Sequence, residues 1–357
     1  MSVLGFFILL LVLLLLPFLP GIIEIRRKLD AQPLRVTQSY DVDVHHFANT
    51  FRQYIHTHFA QDLKETRTAA AAQEGSLEDG SRYCLLGAGT ALSFDKAERA
   101  TQVTNKLYIS GADLALPGAM TYLNELYASG NIQGADEDIY RAMLAGADIT
   151  LGRDSMLLRW VHAAGEIRVP AGCVLYGRAS ADKQITLTSS ARFERLNAPS
   201  ILFGEHAPAS PPVQPRQDIT PEDLAVAVEV AAGRWLIEAD VVFADNSRIN
   251  ANLVVVGTLT LGKNCEINGS IKSHKPLHIK TGCEIHGSVV SMQDIQIESC
   301  TRLKGPLVSE ACINIAANCQ IGSVRQPTTI TAEEITIQPD TLAHGTVWAR
   351  TAGKVTA

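Results

Sequence analysis

Aromatic residues make up only 6% of the 357-residue chain and charged residues 19%, against 46% hydrophobic. With so few rings, a core has to be built from small and branched aliphatics. The hydrophobic share excludes a largely disordered chain. Positive charge is not in excess: 31 Lys and Arg stand against 37 Asp and Glu, a net charge of −6. That excludes a nucleic-acid partner held by phosphate neutralisation. The seven cysteines are odd in number and scattered. Reduced thiols in a reducing compartment fit them better than a secreted disulfide framework. Catalytic signatures are missing too. There is no P-loop, HExxH or GxSxG motif, and Gly87-Ala88-Gly89 lacks the third glycine of a dinucleotide site. No cofactor, no metal and no catalytic residue is therefore expected.

What is present begins with an uncharged apolar run at residues 3–23. At about 1.5 Å per residue it makes roughly 30 Å of helix, enough to cross a bilayer. A cleaved signal peptide is disfavoured because there is no basic stretch before the run and no small-x-small site after it. Arg26, Arg27 and Lys28 follow the run. Positive flanks stay inside, so the expected topology is single-pass in the inner membrane with the bulk of the chain cytoplasmic.

Residues 24–105 read as a juxtamembrane helix and a polar spacer. Asp41 or Asp43 would cap a helix starting near Val44, with Phe47, Phe51, Tyr54 and Ile55 on one face. That face is expected to pack on the solenoid's end or on a partner helix. Lying on the bilayer surface is the alternative. His45, His46, His56 and His58 surround it, but no Cys, Asp or Glu completes a recognised metal-ligand spacing among them.

An 18-residue repeat decides the fold. Leu259, Leu277, Ile295 and Ile313 are spaced by 18, as are Leu261, Ile279, Ile297 and Ile315, and Ile267, Ile285, Leu303 and Ile321. Paired aliphatics two apart suit short strands with one buried face, not a helical stripe. Each unit then supplies three short strands joined by corners, with Gly269, Gly287 and Gly305 expected to relieve the φ restriction at one corner. One coil cannot bury its own face. Stacked coils about 4.8 Å apart can. The expected fold class is all-β: a parallel triangular β-helix occupying residues 233–350 in six coils. Val241, Phe243 and Ile249 extend it upstream, and Ile335, Ile337, Gly345 and Val347 extend it downstream after a four-residue insertion. Cys265, Cys283 and Cys319 share one inward position, filled by Thr301 in the remaining coil. They read as small buried hydrophobes, though stacked thiols could also approach disulfide distance.

A second, rougher solenoid block is expected over residues 106–204. Ile149, Ile167 and Ile185 keep the 18-residue spacing, as do Leu157, Leu175 and Phe193. Insertions are expected between Tyr122 and Asp138. Residues 205–232 then form a Pro-rich linker and a short helix, Leu224 to Ala232, announced by Thr220, Pro221 and Asp223 and ended by Gly233. That helix would suit a cap over the open end of a solenoid, since a bare strand edge invites association.

The segment GTLTLGKNCEINGSIKSHKPLHIKTGCEIHGSVV, beginning at Gly257, resembles the bactofilins, bacterial polymer-forming cytoskeletal proteins. The likeness lies in aliphatic pairs ending in Ile-x-Gly-x-aliphatic and covers the C-terminal block. It implies a right-handed coil that assembles end to end without nucleotide, often at membranes, as a scaffold for cell-envelope or polysaccharide machinery. It carries over no catalytic residue. A preceding apolar run and second block depart from the simple pattern.

The resulting expectation is a membrane-anchored, non-enzymatic scaffold or polymer that self-associates and meets envelope-synthesis proteins. Val347 and Trp348 are the candidate assembly contact. The alternative is a left-handed β-helix acyltransferase, for which His286 would have to act as general base. A polysaccharide lyase or hydrolase would need a constant acidic ladder, and only Glu266 and Glu284 align.

Overall fold

The computed structural model describes Leu16 and residues 44–66, 72–209 and 215–356. Within it, Leu259 pairs with Leu277, Leu277 with Ile295 and Ile295 with Ile313, each one coil above the last. The other two ladders run in parallel register beside it. All twelve side chains are buried, the most open of them only 3% exposed. Three-residue strands such as Leu259–Leu261 and Leu277–Ile279 alternate buried, half-buried, buried. Every inward aliphatic thus meets an identical or similar one in the next coil. The outcome is a mostly β chain wound as a solenoid of about fourteen turns. Val241 and Phe243 join the ladder upstream, and Ile335 and Ile337 join it downstream of the insertion.

The upstream block follows the same rule. Ile149, Ile167 and Ile185 stack, as do Leu157, Leu175 and Phe193. The expected insertions between Tyr122 and Asp138 are absent. Thr121–Ala128 and Ile139–Ala145 are paired parallel as ordinary turns. Tyr122 and Tyr140 replace aliphatics there, their rings stacked with centroids 5.7 Å apart. The block also starts earlier than residue 106. Arg82–Leu86 is already paired parallel with Leu107–Ser110, and Ala72–Ser76 folds back on it as a hairpin. Much of the region read as a polar spacer is therefore ordered.

Helix α1 (His46–Thr66) lies along the side of the upstream block. It buries Ile55, Phe59 and Leu63 against Leu85, Leu107, Ile109, Tyr127 and Leu144. Leu85, Ile109, Tyr127 and Leu144 form an outward ladder, so the strands of this face are apolar on both sides. Of the residues assigned to the helix face, Ile55 is buried, Phe51 and Tyr54 are half-buried and Phe47 stays exposed. The proposed caps Asp41 and Asp43 fall outside the described residues, as does the apolar run 3–23 apart from Leu16. Among the described residues no helix is long and apolar enough to cross a membrane.

Helix α2 (Lys96–Thr101) closes the first turn of the upstream block. Asp95 and Glu98 form a reciprocal capping box at its start. Phe94 packs beside Tyr108 and Tyr122, and the buried Lys106 Nζ reaches Glu74 at 2.7 Å and Glu98 at 3.2 Å. Burial alone would lower the pKa of this amine. The two carboxylates outweigh it and hold the Lys106 pKa above its ordinary value.

The corner chemistry differs from the expectation. Gly269, Gly287 and Gly305 do not take positive φ. They are glycines because a Cβ at Gly287 would lie 2.4 Å from the Gly269 carbonyl oxygen, with similar overlaps at Gly269 and Gly305. The left-handed corner lies elsewhere, at Asn246, Asn264, Gly282, Cys300 and Asn318, again 18 apart. Asparagine tolerates this conformation better than most residues. The residue after each such corner carries a small inward donor. Cys265, Cys283 and Cys319 place Sγ 3.2, 3.1 and 3.3 Å from the carbonyls of Ala244, Gly262 and Glu298. Ser247 and Thr301 bond corner carbonyls in the same way. The position therefore selects a small hydrogen-bond donor rather than a hydrophobe, since it gives a corner carbonyl a partner. All seven thiols are free.

The expected helix at Leu224 to Ala232 is instead a strand. Ala227–Ala231 pairs antiparallel with Arg234–Ile237 around Gly233 at φ +67°. Val226, Val228 and Val230 alternate with other residues, and β-branched alternation favours an extended chain over a helix. The helical signal is spent on a single 3-10 turn, Pro221–Asp223, where Asp223 accepts from the Thr220 N–H.

Candidate functional site

The two blocks meet inside the chain. Arg192–Phe203, the last turn of the upstream block, pairs antiparallel with Thr341–Val355, the last turn of the downstream block. Leu196 faces Val347 and Asn197 faces Thr346, whose Oγ1 accepts from Asn197 Nδ2 at 2.8 Å. One buried core runs through both blocks without a break. Val347 and Trp348 are therefore seam residues. Val347 is buried, and Trp348 holds the Arg195 guanidinium 3.9 Å from its ring centroid. Their backbone edge is already occupied by the chain itself. No strand edge is left there for a second molecule, while the Trp348 side chain stays 39% exposed.

At the other end of the downstream block, two strands of the first turn are covered, Ser247–Ile249 by Gln217–Ile219 and Arg234–Ile237 by Ala227–Ala231. Val241–Phe243 pairs on one side only, with Leu259–Leu261, among the described residues. Val242 on this strand is 68% exposed, and Val228 and Val230 on the edge strand Ala227–Ala231 are 61% and 53% exposed. Valines this exposed, next to a free strand edge, are the composition that favours strand addition.

An outward polar ladder runs along one side of the downstream block. Glu266 accepts from Arg216 Nη1 at 2.8 Å and from Arg248 Nε at 2.9 Å. Glu284 lies 3.2 Å from Lys304 Nζ. His286, the residue considered as a general base, sits between them. Its Nε2 is 3.4 Å from Glu266 and 3.6 Å from Glu284, and its Nδ1 is 3.0 Å from Lys304 Nζ. Burial works against the Glu266 charge, but Arg248 and Arg216 prevail and hold its carboxyl below the ordinary range. The group is a neutralised ion-pair network bracing consecutive coils. His274 and His278 do not join it.

A groove of about 520 Å³ opens between α1 and the upstream block. Phe47, Phe51, Tyr54 and Trp160 wall it, and Asp79 and Glu125 stand at its margin. Phe51 and Trp160 meet edge to face at 5.6 Å. The Tyr54 hydroxyl titrates above its ordinary value, through burial first and then the Asp79 and Glu125 charges. This lining can bind an apolar group. Sequence reasoning missed the groove because its lining comes from five separate stretches of chain with no shared spacing.

Comparison of the chain with protein-family models, with curated proteins and with solved structures finds no match in any of the three.

Proposed function

We propose that the protein is a non-enzymatic, bactofilin-like scaffold that self-associates and is held at the inner membrane by residues 3–23, with the bulk of the chain cytoplasmic. The observation that carries this reading is the asymmetry of the downstream block. Its last turn is sealed against the upstream block, whereas at its first turn the edge of Val241–Phe243 is unpaired and valines on it and on Ala227–Ala231 are exposed. A second copy of this chain suits that edge, because both partners would offer the same parallel-solenoid backbone and the same valines. Self-association is thereby assigned to Val228, Val230 and Val242, in place of Val347 and Trp348. The capture of His286 by Glu266, Glu284 and Lys304 favours a bracing role over the acyltransferase alternative. The envelope-synthesis partners rest on the bactofilin resemblance alone.

The test uses the full chain in detergent micelles, followed by sedimentation velocity and negative-stain electron microscopy. Assemblies larger than one chain per micelle are expected, reduced to single chains by Val228→Asp combined with Val230→Asp. A chain that stays single at high concentration contradicts the proposal.

A further inference from the structure

The outward ladder beneath α1 changes chemistry along its length. It runs Leu85, Ile109, Tyr127, Leu144 and then His162 and Ser180 in successive register. His45, in the turn just before α1, lies over this polar stretch, its ring 4.9 Å from that of His162 at 72°. Asp182 follows the strand Val174–Ala181 one turn further on. His45, His162 and Asp182 each offer a ligand atom, and the three atoms lie within 4.8 Å of one another.

We propose that these three residues bind one divalent transition ion of the zinc class, which fastens the start of α1 to the side of the upstream block. Two imidazoles and one carboxylate form a borderline donor set that suits zinc, cobalt or nickel better than calcium or magnesium. His162 is built for it. The ring is buried, and its Nδ1 lies 3.0 Å from Ser180 Oγ. A proton on Nδ1 donated to that hydroxyl turns the Nε2 lone pair toward Asp182, as in metal-ligating histidines whose other ring nitrogen donates to a protein oxygen. Nε2 stands 3.9 Å from Asp182 Oδ1, too far for a hydrogen bond. Around a tetrahedral ion with ligand distances of about 2.0–2.2 Å, two such atoms stand roughly 3.3–3.5 Å apart. A closure of about half an ångström, on a carboxylate at the surface, brings this pair to ligand spacing, and the His45 ligand atom lies within 4.8 Å of both.

The neighbouring cations are otherwise engaged. Arg52 Nη1 donates to Asn49 Oδ1 at 3.0 Å, and Arg178 Nη1 donates to the Val44 carbonyl at 3.3 Å. The other candidate cluster among the described residues, Glu266, Glu284 and His286, differs on this point. Arg216, Arg248 and Lys304 already neutralise it, so a divalent ion there would have to displace a cation.

The experiment strips the full chain in micelles with a chelator, then titrates it with Zn²⁺ by calorimetry and with Co²⁺ by visible absorption. One ion per chain is expected, with the intense visible bands of a four- or five-coordinate cobalt site. His45→Asn and Asp182→Asn should each weaken binding by at least about tenfold and abolish those bands, while His56→Asn and His286→Asn should leave them unchanged. Because His162 is buried and its replacement could disturb folding, the decisive variant is Asp182→Asn, whose side chain is 51% exposed. Its metal-free melting temperature should match that of the unmodified chain. A stripped chain that takes up no ion, or variants at His45 and Asp182 that bind as tightly as the unmodified chain, would overturn the proposal.

Discussion

Arg195 and Trp348 face each other across the line where the chain closes on itself, guanidinium over indole at 3.9 Å. A cation held over a ring in a partly desolvated site contributes about 1–2 kcal/mol. Trp348→Ala is therefore expected to lower the free energy of unfolding by about that amount in urea titrations. The oligomeric state should not change. A shift toward single chains in Trp348→Ala would return this residue to the assembly surface.

Gly287 and Gly233 are glycines for different reasons, and alanine separates them. At Gly287 the new methyl would meet the Gly269 backbone at 2.4 Å, and a stacked coil cannot retreat without breaking its ladder. Overpacking of this kind costs about 1–3 kcal/mol or more. At Gly233 nothing lies within 4 Å, and only the positive φ is unfavourable, about 1–2 kcal/mol. Thermal melts should place Gly287→Ala below Gly233→Ala. Equal melting temperatures would mean that the coils are not packed as closely as described.

The thiols divide by their place in the coil. Cys84, Cys173, Cys265, Cys283 and Cys319 are buried, whereas Cys300 and Cys312 are half-buried. Burial pushes Cys319 up to about 12 and Cys173 to about 11, so neither supplies thiolate near neutrality. Alkylation followed by mass spectrometry should label Cys300 and Cys312 in the native protein and the other five only after denaturation. Rapid native labelling of Cys283 would contradict the inward ladder.

Glu266 makes stability depend on acid. Its folded carboxyl titrates below the ordinary range, so its contribution is complete above the unfolded value near 4.3 and is lost as the pH falls through the lowered folded value. Between those two values the unfolded chain binds more protons, and stability rises with pH. Urea titrations at neutral pH and at pH near 3 should show a smaller loss on acidification in Glu266→Gln than in the unmodified chain. An identical loss in both would remove Glu266 from the network.

Much of the coil was legible because the side chains that fill it repeat. Leu259, Leu277, Ile295 and Ile313 face one another one coil apart, so periodicity and contact are the same fact. What was not legible lacks that identity. Leu196 and Val347 touch across an antiparallel seam that follows no period. The hairpin at Gly233 was hidden behind Thr220, Pro221 and Asp223, residues that serve a single turn as well as a helix start. Gly269, Gly287 and Gly305 were found, but for the wrong reason. The sequence shows where a side chain is missing and not whether φ or a neighbouring backbone forbids it. His162 and Asp182 lie far from His45 in the chain, so only the stacked turns bring the three together.

The central claim is that the two blocks are joined through their last turns within one molecule. Asn197 and Thr346, already hydrogen-bonded at 2.8 Å, are the pair to test. Asn197→Cys combined with Thr346→Cys should oxidise to a disulfide linking the two peptides within a single chain, seen by mass spectrometry at the mass of one molecule. Oxidation to a covalent dimer, or no linkage between positions 197 and 346, would contradict the seam and the assignment of self-association to the opposite end.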